Sequence, residues 1–73
     1  MEKKWIENFG QNLKVLRKQK GYSQQRLAEL SQLSVAIISK IERGALDNLT
    51  LQTIAWIGEA LGQKDPLEML TKT

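Results

Sequence analysis

Residues 35–43, VAIISKIER, carry side chains that could contact an anionic surface. At 100° per residue, one face of a helix over this segment presents small and cationic groups, namely Val35, Ala36, Ser39, Lys40 and Arg43. A B-DNA major groove admits an α-helix, small apolar groups can meet thymine methyls there, and lysine can donate to guanine O6 and N7. An ordinary amphipathic helix with a solvated face has the same pattern, so this segment alone leaves both interpretations open.

The charge distribution favours a polyanion as partner. The formal net charge is +3, but residues 1–43 carry nine Lys and Arg against four Asp and Glu, while residues 44–73 carry two against four. A basic first half of this kind suggests nucleic acid. Solvated helices can be equally basic, so the charge supports this interpretation without establishing it.

The composition excludes several other function classes. The 73 residues suffice for one small domain, and 41% hydrophobic with 26% charged residues is typical of a soluble globular chain. Without Cys or His there is no disulfide, thiol catalysis, imidazole acid–base chemistry or Cys/His metal site. No hydrophobic run is long enough to span a membrane, and the N-terminus has no signal-peptide core. We therefore predict a cytoplasmic protein that is not an enzyme and has no cofactor, metal or small-molecule ligand.

Helix caps and glycines divide the chain into short helices. Ser23, Ser34, Thr50 and Asp65 are predicted N-caps, and Gly21, Gly44 and Gly62 are predicted to end helices. Runs of β-branched residues with period two are absent. The prediction is one all-α domain over residues 1–73, a bundle of five helices at residues 5–19, 24–31, 35–43, 51–61 and 66–71.

Apolar periodicity predicts which side chains are buried. In the first helix Trp5 is predicted to cover the core, which begins with Ile6, Phe9, Leu13 and Leu16. The predicted core residues of the second and third helices are Leu27, Ala28, Leu30, Ile37, Ile38 and Ile41. In the fourth helix they are Leu51, Ile54, Gly58 and Leu61, with Ile57 at the edge.

Residues 24–44, QQRLAELSQLSVAIISKIERG, resemble the helix-turn-helix of the phage repressor/Cro-type, or XRE, family of DNA-binding proteins. Further matching motifs are Phe9-Gly10, Leu16-Arg17, Lys20-Gly21-Tyr22-Ser23, Asn48-Leu49-Thr50-Leu51 and Ala60-Leu61-Gly62. The resemblance covers about residues 6–70 and implies a lambda-repressor-like five-helix bundle, with the helix-turn-helix at about 24–43. The second of its two helices would be the recognition helix.

The resemblance also implies roles for individual residues. The base-reading positions would be Val35, Ala36, Ser39 and Lys40. The phosphate contacts would come from Ser23, Gln24, Ser34 and Arg43. Arg17 and Glu42 match a partly buried ion pair that joins the first and third helices, and Gln24 would also brace the recognition helix.

Three positions depart from the family pattern. Gln32 stands where glycine is usual in the turn, so a positive φ there would cost roughly 1–2 kcal/mol of backbone strain. Val35 and Ala36 lack hydrogen-bonding groups. We therefore expect modest base specificity per half-site, with DNA shape contributing.

The fourth and fifth helices are candidates for a homodimer interface. Trp56 lies opposite the predicted inner stripe of its helix, and tryptophan is enriched at interface hot spots. The predicted interface residues are Trp56, Ala60, Leu67, Met69 and Leu70. Alternatively, the C-terminal tail folds over Trp56 within one subunit.

These observations predict a homodimeric transcriptional regulator, such as a repressor, that binds an inverted-repeat operator in double-stranded DNA. Restriction–modification controller proteins, prophage regulators and small antitoxins are all compatible with this size. The alternative is a protein-interaction module, such as an antitoxin or bridging factor, whose main partner is another protein.

Overall fold

The computed structural model describes residues 4–46 and 48–64. Within these ranges the chain forms four α-helices and no strand, so the all-α prediction is confirmed for the described part. The predicted fifth helix, residues 66–71, lies outside the described residues. The four helices are α1, Lys4–Gln19; α2, Gln24–Ser31; α3, Val35–Glu42; and α4, Leu51–Ala60.

Side-chain caps begin three of the helices where the sequence predicts them. Ser23 Oγ accepts a hydrogen bond from the Arg26 amide at 3.0 Å, and Ser34 Oγ accepts one from the Ile37 amide at 3.1 Å. Thr50 Oγ1 does the same for the amide of Thr53 at 3.2 Å. Each cap satisfies one of the amides that the first turn of a helix leaves without an intrahelical acceptor. The caps thereby fix where α2, α3 and α4 begin.

The core lies where the four helices meet, and α3 packs against both α1 and α2. The side chains with less than 2% exposure are Phe9, Leu13, Leu27, Ser31, Ile38, Ile41, Ile57 and Leu61. Leu49, in the segment before α4, is also buried. Ile57, predicted at the edge of the α4 stripe, is therefore central to the core.

Four of the burial predictions were wrong or too strong. Leu51 is 72% exposed, because it is the first residue of α4 and the core contact begins one turn later, at Ile54. Leu30 is 38% exposed, because the neighbouring Ser31 takes the inward position in α2. Ile37 is half-buried rather than buried, and Trp5 remains 40% exposed at the edge of the core.

Ser31 can be buried because its hydroxyl has acceptors within its own helix. Its Oγ donates to the Leu27 carbonyl oxygen at 2.7 Å and lies 3.4 Å from that of Ala28. A buried hydroxyl without a partner would be costly, whereas this one is satisfied locally. The small, internally bonded side chain lets α2 pack closely against its neighbours.

The turn between α2 and α3 passes through the left-handed region at Gln32, which has φ 61° and ψ 30°. It is the one non-glycine residue with positive φ among the described residues. The Gln32 amide nitrogen lies 3.4 Å from the Glu29 carbonyl oxygen, and the Leu33 amide donates to the Ala28 carbonyl oxygen at 2.9 Å. The turn is thus a helix C-terminal motif normally built with glycine.

Gln32→Gly is expected to raise the free energy of unfolding by about 0.5–1 kcal/mol, because glycine adopts the left-handed conformation without strain. The net gain is smaller than the strain itself, because glycine also increases the conformational entropy of the unfolded chain. For a domain of this size, the melting temperature should rise by roughly 2–8 °C. Thermal and urea unfolding measure the change. The control is Gln25→Gly, in the right-handed backbone of α2, which should be destabilising. A Gln32→Gly variant no more stable than wild type would show that the strain in the turn is no larger than the entropy that glycine adds to the unfolded chain.

α1 and α3 approach each other at the level of their backbones. A Cβ built on Gly10 would overlap the Ile41 carbonyl oxygen and would lie 3.1 Å from the Ile41 carbonyl carbon. It would also lie 3.4 Å from Glu42 Cα. Because Gly10 has no side chain, the two helices cross in direct contact near the end of α3.

Candidate nucleic-acid interface

α3 presents the face that the sequence predicts. Val35, Ala36, Lys40 and Arg43 are exposed, and Ser39 between them is half-buried. On the opposite side Ile38 and Ile41 are fully buried and anchor the helix in the core. The outer face is therefore small and apolar at the start of the helix and cationic at its end.

A buried ion pair fixes the C-terminal end of α3 to α1. Arg17 Nε donates to Glu42 Oε2 at 2.6 Å, and Arg17 Nη2 donates to Glu42 Oε1 at 3.1 Å. The two side chains are 11% and 4% exposed. This paired geometry is the strongest arrangement available to arginine and a carboxylate. The structure thus brings together the two residues that the resemblance pairs.

The same arginine also holds the turn that leads into α2. Arg17 Nη1 donates to the carbonyl oxygen of Tyr22 at 2.9 Å. One guanidinium therefore joins α1, the segment preceding α2 and the last residue of α3. The sequence could not predict this contact, because the acceptor is a backbone carbonyl and every residue type has one.

Gln24 connects the first turn of α2 to the same carboxylate. Its Nε2 donates to Glu42 Oε1 at 3.0 Å, so Glu42 accepts from both Arg17 and Gln24. An amide nitrogen carries two N–H groups, and a second donor remains for another acceptor. This hydrogen bond links α2 to the last residue of α3, as the resemblance implies for Gln24.

The two capping serines lie at the starts of adjacent helices. Ser23 and Ser34 are both exposed. Each hydroxyl accepts a backbone N–H as a cap and keeps its own O–H to donate. Donors at helix N-termini suit anionic oxygens, since the backbone amides there carry partial positive charge.

Arg43 is the residue that follows α3, and it borders a polar cleft. The cleft lies between α1 and the end of α3 and is lined by Glu7, Gln11, Glu42, Arg43 and Gly44. Gly44 has φ +69°, and a Cβ there would lie 3.3 Å from Glu7 Cγ. Glu7 and Gln11 were not among the predicted site residues, although their spacing of four residues on α1 places them on one exposed face.

The predicted dimer residues are only partly described. Trp56 and Ala60 are half-buried on α4, so Trp56 is more covered than a position opposite the core would imply. Leu67, Met69 and Leu70 lie outside the described residues. The prediction of an intersubunit contact at α4 therefore stays a prediction.

The described residues contain no group of three acidic, His or Cys side chains that could hold a metal ion. Within the same ranges, no helix is long and apolar enough to cross a membrane.

Comparison with known proteins gives two kinds of match. A helix-turn-helix family model matches residues 13–69. The structure is similar to that of the restriction-modification controller protein C.AhdI from Aeromonas hydrophila, with 38% identity, a TM-score of 0.80, and coverage of 90% of this chain and 96% of that chain. It is also similar to the clp gene regulator ClgR from Corynebacterium glutamicum, with 30% identity, a TM-score of 0.81, and coverage of 90% and 68%. No curated protein matches the sequence significantly.

Proposed function

The chain belongs to the XRE-type helix-turn-helix family of DNA-binding transcriptional regulators, and from this we propose that it binds an operator as a homodimer through α3. In this proposal α3 lies in the major groove, and its axis is set by the packing of Ile38 and Ile41. The family match covers α2, α3 and α4 in full.

One observation carries the proposal: α3 has an exposed small and cationic face, and its end is held by the network of Arg17, Glu42 and Gln24. Reading bases requires a helix whose side chains are held at a fixed depth and angle in the groove. A purely solvated helix would not need a buried arginine and a half-buried glutamine that both donate to one carboxylate at its last residue. The network supports a role for α3 in recognition.

The contacts divide into two kinds under this proposal. Lys40 donates to a base edge, Val35 and Ala36 meet thymine methyls, and Ser39 lies between them. The phosphate contacts, which set register without reading sequence, come from Ser23, Gln24, Ser34 and Arg43. Because two of the four reading positions are apolar, DNA shape contributes a larger share of specificity.

A dimer completes the site, because one domain of this size covers too little DNA for tight specific binding. Two recognition helices related by a two-fold axis would contact successive major grooves about 34 Å apart. The half-buried Trp56 and Ala60 offer a surface for this contact on α4. The predicted contribution of Leu67, Met69 and Leu70 extends the same proposal to the C-terminal segment.

Trp56→Ala is expected to weaken self-association by about 30-fold or more, since interface tryptophans often contribute about 2 kcal/mol or more. Sedimentation equilibrium measures the change, and circular dichroism establishes that the variant is folded. Val15→Ala is the matched control, since Val15 is an exposed apolar residue on α1. A Trp56→Ala variant that dimerises as tightly as wild type would remove Trp56 from the interface.

The biological role follows from operator occupancy rather than catalysis. We propose a cytoplasmic protein that represses or otherwise controls a nearby promoter, with its own concentration and dimerisation setting occupancy. The likeness to a restriction-modification controller protein supports a controller of that kind.

Selection of bound duplexes from a random DNA library, at near-physiological salt, tests the proposal directly, because nonspecific binding is weak there. The expected result is an enriched inverted repeat with half-sites about one helical turn apart. If no sequence is enriched and the protein is not retained even at low salt, the proposal fails. The protein-interaction alternative would then be tested by a pull-down.

A further inference from the structure

Gly10 lies at the contact between α1 and the recognition helix. A Cβ at this position would overlap the Ile41 carbonyl oxygen and crowd Glu42 Cα at 3.4 Å. Both neighbours are backbone atoms, so no side-chain rotation could relieve the overlap. Contacts between a Cα–H and a carbonyl oxygen recur at helix–helix interfaces of this kind.

The Ile41 carbonyl is itself held in place. It accepts the amide of Gly44 at 3.0 Å, in the turn that ends α3. Ile41 is fully buried. The carbonyl therefore cannot swing away from α1 without moving the end of α3 and the turn that follows it.

Gly10 and Arg17 lie seven residues apart, two turns along the same face of α1. Arg17 pairs with the carboxylate of Glu42, while Gly10 meets the backbone of residues 41 and 42. The first contact is an ion pair that holds the two helices together. The second is a backbone contact that is possible only because Gly10 has no side chain. The two together fix how far α1 stands from the end of α3.

Resting on the proposed function, we infer that Gly10 is a positioning residue for DNA reading: the absence of a side chain there sets the depth and tilt at which α3 presents Lys40 and Arg43. Lys40 precedes the point of contact by one residue. A displacement on the order of 1 Å at Ile41 would carry Lys40 with it and exceed the tolerance of a base hydrogen bond, whose donor–acceptor range spans about 0.5 Å.

Gly10→Ala tests the inference, in both the wild-type and the Gln32→Gly backgrounds, because the second background is expected to be more stable. The matched controls are Ile57→Val, within α4, and Leu61→Ala, directly after it, which weaken the core away from the contact between α1 and α3. Urea unfolding gives the folded fraction of each variant. Affinity for selected and random duplexes is then corrected for that fraction.

The expected result is a loss of at least tenfold in affinity for the selected duplex per folded Gly10→Ala molecule, with a smaller loss on random DNA. The controls should retain the wild-type ratio of selected to random affinity. An unchanged ratio in Gly10→Ala would overturn the inference, as would failure to fold in the Gln32→Gly background, which would make the contact a requirement for folding. Wild-type protein without DNA affinity would refute the proposed function instead.

Discussion

Glu42→Ala is expected to lower the free energy of unfolding by about 3–5 kcal/mol, because it leaves the guanidinium of Arg17 buried without a counter-charge. The same substitution leaves the donor of Gln24 without its acceptor. A chain of 73 residues has a total stability of about 4–11 kcal/mol. The loss therefore ranges from about a quarter of the total stability to all of it, and urea unfolding at 25 °C measures the change.

The chain provides its own control for this prediction. Arg26 and Glu29 form an ion pair at 3.3 Å on α2, with both side chains 58% exposed. Arg26→Ala should change the free energy of unfolding by less than about 1 kcal/mol, since exposed pairs contribute little. Equal losses from Glu42→Ala and Arg26→Ala would contradict the role given to burial.

A double variant separates charge burial from packing. Arg17→Met combined with Glu42→Met removes both charges and keeps much of the side-chain volume. It is expected to be more stable than Glu42→Ala, because an apolar pair carries no desolvation penalty. A double variant less stable than the single one would show that the hydrogen bond from Arg17 to Tyr22, which Glu42→Ala retains, outweighs the cost of the unpaired charge.

Lys40→Ala is expected to relax specificity at one base pair of each half-site. A lysine donating to guanine contributes about 1–3 kcal/mol of discrimination, which corresponds to about 5- to 150-fold in the affinity ratio. Because Lys40 is exposed on α3, its removal should leave the fold intact. Binding to a panel of duplexes, each changed at one operator position, measures the effect.

Arg43→Ala is the contrasting variant for the same experiment. It should weaken binding evenly across sequences and reduce the slope of log affinity against log salt by about one. Lys40→Ala should instead alter the ranking of the duplexes. If both variants lose affinity equally on operator and random DNA, Lys40 is not a base-reading residue.

Local signals were sufficient to predict most of the described fold. Helix starts at Gln24, Val35 and Leu51 follow from hydroxyl side chains one residue earlier, and the structure contains all three caps. A cap acts within one turn, so its effect is encoded in adjacent residues. The strained turn at Gln32 was likewise predictable, because the family pattern has glycine there and the structure has positive φ.

Burial was predicted less well because it depends on elements distant in sequence. Periodicity assigns Leu51 to the inner face of α4, yet no described element covers it at the first turn. Ser31 is polar and would be expected at the surface, but the hydrogen bond from its hydroxyl to the Leu27 carbonyl oxygen permits its burial. The contact at Gly10 was also missed, since its partner is a backbone carbonyl 31 residues away.

If Gln24 contacts a phosphate as proposed, its bond to Glu42 would lower the entropy cost of DNA binding. A free glutamine side chain samples several rotamers, and ordering it costs up to about 1.5–2 kcal/mol. Gln24 Nε2 already donates to Glu42 Oε1 at 3.0 Å, so most of that ordering accompanies folding. A phosphate accepting the second N–H would meet a preorganised donor. Most of the side-chain entropy lost on DNA binding would then come from ordering the exposed side chains of Lys40 and Arg43.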